Sequence, residues 1–128
     1  MDAITTFRLH FIPQYNSIYD FKRGTHMKKL AVIFPGVGYT CTKPLLYYTA
    51  SMAAERGYEI IRLDYGQDIH TFHGRTPAEL EPIIKLAIKR TLPQLENVPF
   101  SEYDDIIFIS KSIGTTIACQ LETALQLK

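Results

Sequence analysis

The stretch FISKSIGTTIA (residues 108–118) is where a β-type pattern hands over to a helical one. Upstream, YDDIIFIS has an unbroken apolar centre, as a strand buried on both faces requires. Downstream, Ile113, Ile117, Leu121 and Leu125 recur at helical spacing. The junction itself is Ser110, Lys111, Ser112, Ile113 and Gly114, with a small residue two before and two after Ser112. A tight strand-to-helix turn that holds a serine outward as a nucleophile needs that spacing, because bulk on either side would keep the helix off the strand. The plainer reading makes Ser112 a helix N-cap, a common role for serine at such a turn.

Working outward, two similar units precede the junction. LAVIF, from Leu30, reads as another strand buried on both faces. It ends at PGVG, where Gly36 and Gly38 permit backbone conformations that other residues resist. Thr42 is positioned to cap the helix that follows, Pro44 suits its first turn, and Leu45, Tyr48, Met52 and Ala53 mark its apolar face until Arg56 and Gly57 close it. YEIIRLDYG then predicts a second buried strand, with Asp64 and Gly66 at its carboxyl end. After the polar loop GQDIHTFHGR, Thr76 and Glu79 form a capping box for a helix whose apolar face is Leu80, Ile83, Ile84, Ala87 and Ile88. Pro82 predicts a kink in that helix and Pro93 an end or bend, since each removes a backbone donor.

Strand and helix therefore alternate three times, which predicts an α/β fold: a three-layer α/β/α arrangement with a mostly parallel sheet. In such sheets ligands bind beyond the carboxyl ends of the strands, and both PGVGYT and SKSIG fall at that edge. Residues 1–26 differ in character and form either an amino-terminal extension or a β-hairpin. Phe7, Leu9 and Phe11 alternate, and residues 13–17 offer a turn. Met27 followed by two lysines is the alternative natural start.

Composition removes several classes of function. The 128 residues are 46% hydrophobic and 21% charged, ordinary globular material sufficient for one core. A net charge of +1 with interspersed signs provides no electrostatic footprint for nucleic acid or an anionic membrane. No stretch approaches the roughly 20 apolar residues of a membrane span, and the amino terminus lacks the apolar segment of a signal peptide. Cys41 and Cys119 show no metal-ligand spacing, and two thiols without a leader point to a reduced cytoplasmic setting.

On PGVGYT, DYG and SKSIG, taken in that order, residues 28–128 resemble the amino-terminal half of an α/β-hydrolase; the resemblance spans about four fifths of the chain. It implies a serine-nucleophile hydrolase acting on small acyl esters or related carbonyl substrates, with no metal or organic cofactor. Ser112 would be the nucleophile, and the amides of Ile113 and Val37 would face the developing oxyanion. Gly36, Gly38, Tyr39 and Lys111 would frame the substrate. Ser110 departs from the family pattern by replacing the first elbow glycine. The acid and histidine of the family's triad lie on later strands, and no residue here matches them by motif, so the resemblance implies a domain truncated before both.

Within the chain, His70 and His73 follow the second buried strand and fall on the ligand side, where Asp68 could orient one of them. The alternative is a pair of solvated loop histidines. His10 and His26 have less claim. Asp64 reads as a structural strand-end residue, Cys41 as a small packing residue, and Lys111 as pointing into solvent or toward the sheet edge. A phosphate-binding reading fails because Ser110 and Asp105 stand where a P-loop needs glycines, and Gly36, Gly38 and Cys41 do not complete a dinucleotide fingerprint. A non-catalytic hydrolase fragment or interaction module is the third reading. In it, the IIFIS strand lacks its next neighbour, and the exposed edge predicts a homodimer or a complementing C-terminal half.

Overall fold

LAVIF forms the centre of strand β2, Lys29–Phe34, and its apolar continuity is explained by burial on both sides. Leu30, Val32 and Phe34 enter one hydrophobic cluster, while Ala31 and Ile33 enter another on the opposite face. The computed structural model describes residues 4–9, 27–73 and 76–125. Around β2 stand strands β1 (Ile4–Leu9), β3 (Tyr58–Arg62) and β4 (Asp105–Lys111), with helices α1 (Pro44–Glu55), α2 (Gln67–His70), α3 (Pro77–Leu95) and α4 (Ile113–Ala124). A 3-10 turn at Phe100–Glu102 leads into β4.

The four strands form one sheet in the order β1-β4-β2-β3. β2 runs parallel to both β3 and β4, and β1 closes the far side of β4 in antiparallel register, with Ile4 opposite Lys111 and Leu9 opposite Ile106. α1 covers one face through Leu46, Ala50 and Ala53, which pack with Ala31, Ile33 and Ile109. α3 and α4 cover the other through Ala87, Leu95, Ile117, Ala118 and Leu121, around the ring pair Phe34–Phe108 at 4.8 Å. This is the expected α/β/α layering on a mostly parallel sheet.

Several local expectations change. The outer edge of β4 is occupied by β1, so the unpaired edge expected there is paired within this chain. The second strand and the turn of the expected hairpin lie outside the described residues, as do His10 and His26. β3 is half-buried rather than buried, because the strand order places it at the sheet's border. α1 turns a different stripe inward than its large residues predict: Leu45, Tyr48 and Met52 are exposed, and the alanines that allow close approach face the sheet. Its N-cap is Lys43, while the Thr42 hydroxyl bonds that of Thr40 at 2.8 Å. The capping box at Thr76 and Glu79 forms as expected. The helix it opens runs to Leu95 with both Pro82 and Pro93 inside it. Among the described residues, no helix is long and apolar enough to cross a membrane.

Candidate functional site

Ser112 joins β4 to α4 with φ 57° and ψ −128°. Among the described residues it alone has positive φ without being glycine. A side chain in that region costs about 1–3 kcal/mol, and it persists only where the surroundings hold it. The surroundings here are specific. Gly114 is fully wedged: a Cβ there would lie 2.6 Å from the Pro35 carbonyl oxygen and closer still to that of Phe34. Ser110 is completely buried, and its hydroxyl stands 3.1 Å from that of Thr115, tying the strand end to the first turn of α4. Smallness two residues either side of Ser112 thus has a packing reason on each side. The Ser112 side chain makes no capping hydrogen bond to α4, so the N-cap reading accounts for its position and not for its hydroxyl.

The bend after β2 lies directly beside this one. A Cβ at Gly36 would sit 3.1 Å from both the Lys111 carbonyl oxygen and the Ser112 Cβ. Gly36 and Tyr39 each donate their amide to the other's carbonyl, at 3.0 and 3.1 Å, and Gly38 supplies the positive φ of 67° that the turn between them demands. This bridge uses the amides of Gly36 and Tyr39 and leaves those of Val37 and Gly38 outside it. Val37 and Ile113 both pack against the same hydrophobic cluster beneath the bends. The arrangement puts a hydroxyl on a strained bend next to a glycine loop whose Val37 and Gly38 amides lie outside its own bridge. Such a pairing can bring a nucleophile and N–H donors to one carbonyl group.

Lys111 departs from expectation. It is only 8% exposed rather than solvated, and its ammonium lies 4.7 Å over the Tyr39 ring. The Tyr39 hydroxyl in turn accepts from the Leu45 amide at 2.9 Å, anchoring the loop to the start of α1.

On the third side of the edge, the segment after β3 is held by long-range polar contacts that no local pattern announces. Gln94 of α3 brackets Asp64, accepting from its amide at 3.1 Å and donating to its carbonyl at 2.8 Å. The Asp64 carboxylate accepts from the Gly66 amide, the strand-end role read from the sequence. Arg90 donates to the Tyr65 carbonyl at 2.7 Å and to both carboxylate oxygens of Asp68, at 2.6 and 3.0 Å. The side-chain hydrogen bond from Arg90 holds the Asp68 carboxyl below the usual aspartate range. Asp68 is therefore committed to Arg90 and does not orient a histidine.

His70 lies close to the glycine loop, since a Cβ at Gly38 would be 3.5 Å from its carbonyl oxygen. Its ring stacks on Tyr65 at 6.0 Å. Its Nδ1 and the Tyr65 hydroxyl are both buried with no hydrogen-bond partner among the described residues. A cavity of about 400 Å³ opens beside it, lined in part by Thr40, Cys41, Arg62, Asp64 and Gln67. Burial pushes the Cys41 thiol up to about 11, which suits a packing residue and not a nucleophile. His73 is exposed. Among the described residues, no cluster of His, Cys, Asp or Glu has the composition to hold a metal ion.

Comparison with known proteins yields no match: no family model, no curated protein and no solved structure is similar to this chain. The functional reading accordingly stands on the geometry and on the motifs PGVGYT, DYG and SKSIG.

Proposed function

We propose that this protein is an α/β-hydrolase-like serine hydrolase of small acyl esters or related carbonyl substrates, with Ser112 as the nucleophile and the amides of Ile113 and Val37 as the oxyanion donors. The observation that carries this reading is the strained backbone of Ser112 set against the glycine loop of Gly36. Strain at one serine, maintained by a wedged glycine and a buried serine, has no use in a simple turn. It has one where a hydroxyl must be held clear of the helix to attack. Gly36, Gly38 and Tyr39 frame the acyl group, with Lys111 against the Tyr39 ring. The two free cysteines fit a reducing, cytoplasmic setting. The acid and base of the reaction come from a complementing C-terminal segment, as the family pattern implies.

One observation favours a second reading, a non-catalytic module of the same fold. Asp68 is engaged by Arg90, so the carboxylate nearest His70 in sequence is not available to orient it toward a serine. Treatment with a fluorophosphonate probe separates the two. Labelling of the wild-type chain that disappears in Ser112→Ala supports the nucleophile, whereas absent labelling, or labelling that survives the substitution, removes the enzyme reading for this chain by itself.

A further inference from the structure

We infer that Lys111 is a positioning residue: through the face of the Tyr39 ring it clamps the glycine loop of residues 36–39 against the bend at Ser112. Four observations converge on this. Lys111 is the last residue of β4, immediately before Ser112, and its side chain is almost wholly buried, unusual for a lysine. Its ammonium stands 4.7 Å over the Tyr39 ring, within the range where a cation is drawn to an aromatic face. Tyr39 is covalently part of the loop and exchanges both backbone hydrogen bonds with Gly36. Gly36 in turn sits against the Lys111 carbonyl and the Ser112 Cβ.

A closed circuit results. The backbone of Lys111 touches one end of the loop, and its side chain reaches over to hold the other. Gly36 and Gly38 contribute no side chain to fix the loop, and Val37 and Tyr39 are only partly buried against the clusters beneath it. Its position against the bend is set by the Gly36–Tyr39 bridge, the Tyr39 hydroxyl bond to Leu45 and the Lys111–Tyr39 contact. Of these, the Lys111 contact runs directly from the nucleophile's strand to the loop. The amide of Val37, between the two ends, is placed relative to Ser112 by that span. The catalytic purpose of the clamp rests on the serine-hydrolase reading; the clamp itself does not.

Amide hydrogen exchange of residues 36–39 in the full chain tests the clamp without reference to activity. Lys111→Met keeps the length and loses the charge, and it is expected to speed exchange at Val37 and Gly38 by about 3- to 30-fold, the range a partly desolvated cation–ring contact sustains. Lys111→Arg keeps the cation and is expected to restore slow exchange. Tyr39→Leu loosens the loop too, through the lost Leu45 bond as well as the lost ring, so the double variant with Lys111→Met is the deciding measurement. Its effect must be smaller than the product of the two single effects, because both remove one contact. Independent, multiplying effects, or unchanged exchange in Lys111→Met, would overturn the clamp.

The labelling rate of Ser112 supplies the second arm. It is expected to fall in Lys111→Met and recover in Lys111→Arg, with thermal midpoints that do not follow the same order. If the wild-type chain takes no label, the nucleophile reading fails for this chain by itself while exchange still decides the clamp. If the chain labels and Lys111→Met labels equally fast despite faster exchange, the loop is held but its holding does not serve the serine, and the positioning role is overturned.

Discussion

Replacing Gly114 by alanine puts a methyl group where two backbone carbonyls already stand, and backbone cannot yield as a side-chain tip can. The expected loss is about 2–4 kcal/mol, at the upper end for overpacking because helix α4 must move away from β2 as a whole. Urea unfolding measures it, and the same variant should lose fluorophosphonate labelling, since the bend moves with the helix. Ser112 gives the opposite experiment. Glycine adopts its backbone angles without strain, so Ser112→Gly is expected to exceed Ser112→Ala in stability by about 1–2 kcal/mol, although both remove the hydroxyl. Equal urea midpoints for the two would mean that the bend stores no strain. These residue-scale features were the most legible in the sequence. Ser110, Ser112 and Gly114 announce a tight turn by their sizes, and a helix pressed against a strand end has few other solutions. Lys111 was not legible: its charge argues for solvent, and the Tyr39 ring that meets its ammonium is brought over by the loop after another strand.

At the scale of elements, the segment after β3 depends on α3. Arg90 binds both the Tyr65 carbonyl and Asp68, and Gln94 binds both backbone groups of Asp64. Asp68 has its folded-state pKa lowered by Arg90, so the pairing stabilises the fold above the ordinary aspartate range and is lost as pH falls through the lowered folded value. A carboxylate titration followed by nuclear magnetic resonance should place Asp68 below the usual aspartate range, and Arg90→Gln should return it there; an unshifted wild-type midpoint would contradict the ion pair. The sequence predicts α3 itself from its capping box but not these contacts, which join residues 22 and 30 apart with no periodicity to mark them. The buried stripe of α1, apart from Ala53, was missed for another reason. Large apolar residues attract the eye, yet Leu45, Tyr48 and Met52 point outward and small Ala50 and Ala53 face inward, because a helix lying close on a sheet needs short side chains beneath it.

For the whole molecule, apolar runs such as LAVIF and IIFIS identified strands covered on both faces, and alternation with helices identified the layers. Strand order was beyond reach of local pattern, so β3 looked interior and β4 looked open. The structure closes β4 with β1, and removal of that strand is therefore informative. A chain begun at Met27 should show mass rising with concentration in light scattering, because the uncovered edge of β4 presents unpaired backbone groups to any similar edge. The 128-residue chain should associate less under the same conditions. Equal behaviour of the two would mean that β1 does not protect the edge.

The pairing of β1 with β4 also sets a timetable. Its partner lies roughly a hundred residues further along, so at translation speeds of about 5–20 residues per second β1 waits on the order of 5–20 seconds for its companion. Of the four described strands, the one made earliest is zipped latest, and until then it stays an adhesive ribbon on the nascent chain.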